Sequence, residues 1–218
     1  MYIRQNTVAL VGASGLIGSA LLPLLCRQWQ EVRVITRRPL HLPQPQVKEY
    51  VVAFTDTEAL QAALTGCQHV FCAVGTTQKK VQGNMEAYRQ VDYDIPVNMA
   101  KAAHAVGVQG FWLVSSVGAN SRASNFYLRL KGEVEEVVNA MGLEQVGIFQ
   151  PSILLGKRAE SRPAERLGQW LMPLLAPLMP SRYRPIQAGQ VAKAMVAAAM
   201  QGRPGTQVWQ YKEMRGID

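Results

Sequence analysis

With 218 residues, 48% of them hydrophobic and 17% charged, the chain has material for one well-buried core and is too apolar to stay disordered. Its net charge of +8 raises the question of nucleic acid, but the basic residues are scattered and not interleaved with aromatics, which argues against direct binding. Cys26, Cys67 and Cys72 form no C-x-x-C pair and cannot all be bridged, and no charged-then-apolar leader precedes the first apolar run; both point to a reduced, cytoplasmic protein without export.

Thr7 to Val11 reads as a buried strand that breaks directly into Gly12-Ala-Ser-Gly15-Leu-Ile-Gly18. Leu16 to Trp29 follows as a helix, with Pro23 expected to kink it or to mark an early turn. Val32 to Thr36 is a second strand closed by Arg37, Arg38 and Pro39, and Val47 to Phe54 a third. Thr57 to Leu64 has helical spacing and stops at Gly66, and His69 to Val74 is a fourth strand ended by Gly75. Met85 to Val106 is one long helical pattern containing Pro96; Gln109 to Ser116 is a fifth strand, Asn125 to Met141 a helix, and Gln145 to Phe149 a sixth strand. Beyond Pro151 prolines break the rhythm, leaving a helix over Ala188 to Met200 and a last strand over Thr206 to Tyr211. Strands alternating with helices at this spacing predict a mostly parallel sheet covered on both faces, with the tail as a small C-terminal cap over the sheet's carboxyl edge. Trp170 to Met179 is apolar but too short and too interrupted by proline to span a bilayer. It reads as a pocket wall or a subunit contact, so a homo-oligomer or a protein partner stays open.

Three motifs carry chemistry. A strand turning through glycines into a helix leaves backbone N–H groups pointing outward at the positive end of the helix dipole, where a pyrophosphate binds. Gly12 would allow the tight turn, Gly15 the close approach of phosphate, and Gly18 the packing of helix on strand. At the end of the second strand, where a carboxylate would take a free ribose 2′-hydroxyl, stand Thr36, Arg37 and Arg38. Arginine there pairs with a 2′-phosphate, which favours NADP over NAD. Third, Tyr127 and Lys131 are four residues apart, on one face of a helix, downstream of Ser115-Ser116. A tyrosine of ordinary pKa, about 10, is ionised about one part in a thousand at neutral pH, and a neighbouring ammonium favours the phenolate. A serine at the strand end would orient a carbonyl or hydroxyl oxygen. His41, His69 and His104 have no ligand spacing, so no metal is expected; His69 reads as a packed core residue and Cys72 as a small buried hydrophobe.

Gly12-x-x-Gly15-x-x-Gly18, Ser115-Ser116, Tyr127-x-x-x-Lys131 and Phe149-Gln-Pro-Ser-Ile-Leu-Leu-Gly156 together resemble the atypical short-chain dehydrogenase/reductase family. Ser124 to Glu135 and Glu160 to Pro163 are similar to its Tat-interacting-protein-like, NADPH-binding subgroup. The resemblance implies a Rossmann-type doubly wound sheet binding NADP (NADPH), as a single domain over 1–218 with 1–155 as cofactor core and 156–218 on the substrate side. It implies Gly12, Ser14, Gly15, Leu16, Ile17 and Gly18 around the phosphates, Arg37 and Arg38 at the ribose, and Ala73, Val74 and Gly75 on the adenosine side. Pro151, within Gln150 to Ile153, would pass the nicotinamide amide. Ser116 would be the active-site serine, with Ser115 one position earlier as the alternative; Tyr127 would be the acid/base, and Lys131 the partner of tyrosine and ribose. Two departures stand out: Asp92 replaces the relatives' usual asparagine, and Pro151-Ser152 replaces Pro-Gly. Three functions follow as expectations. The first is an NADP-dependent oxidoreductase on a small carbonyl or alcohol substrate. The second is an NADPH-binding regulator with little turnover. The third is an epimerase or dehydratase, for which the cap is small.

Overall fold

The computed structural model describes residues 5–77, 81–156 and 180–217. Seven parallel strands form one sheet in the order β3-β2-β1-β4-β5-β6-β9. They are β1 (Gln5–Val11), β2 (Trp29–Thr36), β3 (Val47–Val51), β4 (His69–Cys72), β5 (Gly110–Val114), β6 (Gln145–Phe149) and β9 (Gly205–Trp209). The chain winds outward from β1 to β3, then returns to the other side of β1 with β4. The carboxyl ends of β1 and β4 therefore bound the crevice where strand order reverses, the place at which open α/β sheets take ligands.

Side chains alternate across a strand, so each face of the sheet needs its own cover. Val8 and Leu10 pack under α1 (Leu16–Gln28) and α6 (Ala188–Gln201), while Ala9 and Val11 pack under α2 (Thr57–Leu64), α4 (Ile95–Ala105) and α5 (Phe126–Ala140). Burial on both faces is why these strands read as unbroken apolar runs. A two-stranded sheet, β7 (Leu154–Leu155) with β8 (Ile186–Gln187), lies on either side of the undescribed segment in the chain, so Glu160 to Pro163 and Trp170 to Met179 lie outside the described residues. Among the described residues no helix is long and apolar enough to cross a membrane.

The expected strands and helices are present with shifted ends, and two local expectations need correction. Pro23 marks no early turn: α1 runs through it, with Pro23 on the exposed side. The long helical pattern from Met85 is divided into α3 (Met85–Arg89), a π-turn over Gln90–Asp94, and α4, with Pro96 in its first turn. Proline has no N–H to give, which suits the start of a helix, and the wider i→i+5 turn absorbs the phase change before it. That turn places Asp92 in the interior.

His69 is buried between Trp29, 6.2 Å away, and Trp112, 5.8 Å away. Burial pushes its imidazole down from 6.5 to about 4. Below the ordinary value the unfolded chain takes up a proton that the folded one refuses, so this contribution to stability is whole at neutral pH and is lost as pH falls toward 4. Between about pH 7 and pH 5, urea unfolding of the wild type should show about 2 kcal/mol more loss than His69→Gln. Parallel pH dependences would refute this assignment. Cys26, Cys67 and Cys72 are free and buried, and burial raises the thiols of Cys67 and Cys72 to about 11.

Candidate functional site

The turn from β1 into α1 is built from backbone packed on backbone. Gly12 has φ +86°, and a Cβ there would sit 2.6 Å from the Ala73 carbonyl oxygen at the end of β4. A Cβ on Gly18 would lie 2.0 Å from the Gly12 carbonyl oxygen, so the first turn of α1 rests directly on the loop. Gly15 is the N-cap of α1 and offers no side-chain cap, although its own N–H donates to Gly12 O at 2.9 Å. The first-turn N–H groups of α1 thus face the crevice with the dipole's positive end, without a side-chain acceptor competing for them. Ser14 is exposed, Leu16 half-buried and Ile17 buried. A Cβ on Gly156 would come 2.8 Å from Leu16 Cδ1, which brings the end of β7 against the start of α1.

Arg37 and Arg38 are exposed at the carboxyl end of β2, next to β1, where the Thr36 hydroxyl donates to the Arg38 carbonyl at 2.9 Å. Among the described residues no carboxylate pairs with either guanidinium. Ala73, Val74 and Gly75 border the crevice from β4, with Ala73 N donating to Val11 O at 2.9 Å.

The two serines at the end of β5 part company. Ser115 is buried, and its hydroxyl donates to Glu135. Ser116 is half-buried and has only a 3.5 Å contact with the carbonyl of Val117, at the limit of a hydrogen bond. Ser115 still hydrogen-bonds to β6, its N–H donating to Phe149 O at 2.7 Å, while Ser116 opens the loop beyond it. Tyr127 lies half-buried in the first turn of α5, with its ring edge on Tyr88 at 6.4 Å. Burial and the Asp92 charge hold the Tyr88 phenol well above the usual tyrosine range, so Tyr88 stays neutral. Lys131 lies one turn beyond Tyr127 and Glu135 one turn beyond that, on the same face of the helix.

Lys131 is buried, and its ammonium pairs with Asp92 Oδ1 at 2.9 Å. Asp92 Oδ2 accepts from Thr76 N at 2.7 Å, in the loop after β4. Glu135 receives Gln150 Nε2 on its two oxygens at 3.0 and 3.1 Å, and Gln150 Oε1 accepts from Gln210 Nε2 at 2.9 Å. Burial raises the Glu135 carboxyl, against the opposing pull of Ser115, Gln150 and the Lys131 charge. Pro151 is buried, and its carbonyl accepts from Val117 N at 3.0 Å, tying the β6 end to the serine loop. Among the described residues no cluster of His, Cys, Asp and Glu could hold a metal ion.

The structure thus places Ser116 just beyond the end of β5, Tyr127 and Lys131 on one face of α5 with Lys131 tied through Asp92 to the loop after β4, and the glycine loop at the end of β1 next to β4. Sequence reasoning missed the Ser115–Glu135–Gln150–Gln210 network and the pairing of Asp92. The one-turn spacing of Tyr127, Lys131 and Glu135 along one face of α5 was a signal for the network. Burial of Asp92 depends on the π-turn and left no sequence signal.

A family model described as NAD(P)H-binding matches residues 12–201. This chain belongs to that NAD(P)H-binding family. Relatives include the protein fmp52, mitochondrial, of Aspergillus fumigatus, 38% identical over 165 residues, covering 72% of this chain and 70% of that one. FMP52, mitochondrial, of Debaryomyces hansenii is 34% identical over 207 residues, covering 91% and 88%. HTATIP2 of Rattus norvegicus is 34% identical over 174 residues, covering 78% and 69%. The resemblance to atypical short-chain dehydrogenase/reductases therefore holds. Among solved structures, the UDP-N-acetylglucosamine 4-epimerase of Methanobrevibacter ruminantium, in complex with UDP-N-acetylmuramic acid, superposes with TM-score 0.74 at 16% identity over 95% of this chain and 77% of that one. MoeE5 in complex with UDP-glucose and NAD gives 0.71 at 17% identity, covering 95% and 79%. Both share the Rossmann-like fold.

The expectation of a cytoplasmic protein is overturned by relatives named as mitochondrial. Free thiols report a reducing environment and not which compartment supplies it.

Proposed function

We propose that this member of the NAD(P)H-binding family is an NADP-dependent oxidoreductase acting on a small carbonyl or alcohol compound through Ser116, Tyr127 and Lys131. The observation that supports it most is the buried Lys131 one helical turn from Tyr127, its ammonium tied through Asp92 and Thr76 N to the loop after β4, which borders the crevice. The uncapped start of α1 and the glycine-on-backbone packing fit a dinucleotide pyrophosphate, and the unpaired Arg37 and Arg38 fit a 2′-phosphate. The bound nicotinamide would exchange a hydride with the substrate carbon. Ser116 would donate a hydrogen bond to the substrate oxygen, Tyr127 would pass it the proton, and Lys131 would hold the cofactor ribose beside Tyr127. On this reading 1–155 is the cofactor core and 156–218 the substrate side of one domain.

Purified protein should quench or shift NADPH fluorescence and consume NADPH with some member of a panel of aldehydes and ketones. Arg37→Ala with Arg38→Ala should weaken NADPH by roughly tenfold to a hundredfold while changing NADH by less than about twofold. Equal losses for both cofactors would remove the NADP preference. One feature favours a second reading, a cofactor-binding regulator with little turnover: Asp92 cancels much of the positive field that Lys131 would present to Tyr127. NADPH binding without turnover on any carbonyl would select it.

A further inference from the structure

Burial by itself drives a lysine toward its neutral form, and the Lys131 side chain is only 5% exposed. Around its ammonium stand Tyr127 and Glu135 on its own helix, Cys72 at the end of β4 and Asp92 from the π-turn; Tyr88 of α3 faces Asp92 and Tyr127. Among the described residues Asp92 is the carboxylate in contact with the Nζ, at 2.9 Å, and it is itself 1% exposed. Its other oxygen takes the Thr76 N–H at 2.7 Å. One carboxylate therefore joins the ammonium on α5 to the backbone of the loop that leaves β4.

We propose that Asp92 is the positioning residue of this site: its carboxylate keeps Lys131 protonated in the interior and ties the ammonium to the β4 loop. The significance for turnover rests on the role of Lys131 proposed above; the charge-holding does not. The Lys131 ammonium is held above its ordinary value although burial acts the other way, because the Asp92 carboxylate paired with it outweighs burial. An asparagine in this place would still offer Thr76 an acceptor, but it would leave burial without its main opponent.

The sign follows from linkage. In the wild type a raised folded value makes the Lys131 contribution constant up to the unfolded value of 10.5, beyond which it is lost. In Asp92→Asn the folded value drops below the unfolded one, so the variant carries a burden at low pH that is relieved as pH rises. The folding constant of Asp92→Asn relative to wild type, from urea titrations at about pH 7 to pH 10, should stay low and then climb by up to about tenfold per pH unit. Taking the ratio cancels the titrations of Cys72, Tyr88 and Glu135 to the extent that the variant leaves them alone. Asp92→Asn/Lys131→Met, lacking both charges, should be more stable than Asp92→Asn near pH 7 and lose the climb. A ratio independent of pH overturns the proposal. If Asp92→Asn fails to fold at neutral pH, a double variant folding no better overturns it, and folding restored by the second change supports it.

NADPH fluorescence titration gives a second reading. Wild-type affinity should hold within about twofold from pH 7 to pH 9.5, while Asp92→Asn loses roughly tenfold over the same range. Loss by a constant factor at every pH, together with a folding ratio that does not change with pH, would mean a purely structural role through Thr76, overturning the proposal. A wild type that binds no NADPH would sink the cofactor reading and leave the unfolding experiment to decide on Asp92.

Discussion

Tyr127→Phe is expected to lower kcat/KM for carbonyl reduction by about a hundredfold to ten-thousandfold, the range spanned by a positioned acid/base group. The substitution removes one oxygen and keeps the ring that stands edge-on to Tyr88 at 6.4 Å, so the aromatic packing survives. Asn125 still caps α5 by accepting from Leu128 N at 3.1 Å, and the Lys131–Asp92 pair remains. The melting temperature should stay within a few degrees, and NADPH affinity within about fivefold, the effect of one lost hydrogen bond. Stopped-flow measurement of NADPH consumption, with the cofactor titrated separately by fluorescence, distinguishes loss of chemistry from loss of binding. Turnover undiminished in this variant would remove Tyr127 from the mechanism. Ser116→Ala should fall in the same direction, and Ser115→Ala should act mainly on stability, since its hydroxyl belongs to Glu135.

The second large effect comes from glycines whose hydrogen faces backbone. Gly18→Ala would set a methyl 2.0 Å from Gly12 O, 2.7 Å from Gly12 C and 2.9 Å from Ala13 Cα, and Gly132→Ala would set one 2.2 Å from Asn120 C and Ser121 N. No rotamer change relieves a clash with main chain, so α1 must lift from β1 in the first case, and α5 from the serine loop in the second. Each should cost about 3 kcal/mol or more in urea unfolding, the upper end of overpacking effects. Both should also impair the site, by opening the phosphate loop or by displacing the helix that carries Tyr127 and Lys131. Two other glycines serve as controls. Gly189→Ala in α6 meets nothing within 4 Å and should be neutral or stabilising by about 0.5 kcal/mol. Gly15→Ala would approach Gly12 O at 3.1 Å, a tight contact that makes the loop give by a few tenths of an ångström, so it should cost less stability than Gly18→Ala and weaken NADPH by shifting the loop. A Gly18→Ala protein of wild-type stability would show that α1 does not rest on the loop as described.

Much of the architecture was legible because the forces that set it are local or periodic. Both faces of a parallel sheet are covered, so Val8 to Val11 and His69 to Cys72 appear as plain apolar runs. Crossovers between parallel strands usually carry a helix, which set the rhythm of the elements, although β2 passes to β3 through residues 37–46 without one. Boundaries were less legible, since a strand's last residues are decided by hydrogen bonds to neighbours rather than by composition. The fourth and fifth strands stop at Cys72 and Val114, short of their apolar or serine-rich ends, because the loops turn there toward Asp92 and Pro151.

By itself the sequence determined a strand–glycine–helix start, a basic end to the second strand and a tyrosine one helical turn from a lysine. All three depend on neighbours along the chain, where geometry is dictated by φ/ψ preference and helical pitch. Only the tertiary structure decided which of two adjacent serines is held by Glu135, and that the Lys131 ammonium is paired with a carboxylate 39 positions earlier. Those outcomes turn on which faces become buried together, and on a π-turn that rotates Asp92 inward. Desolvation is a property of the assembled fold: no side chain loses its water until elements distant in sequence close over it.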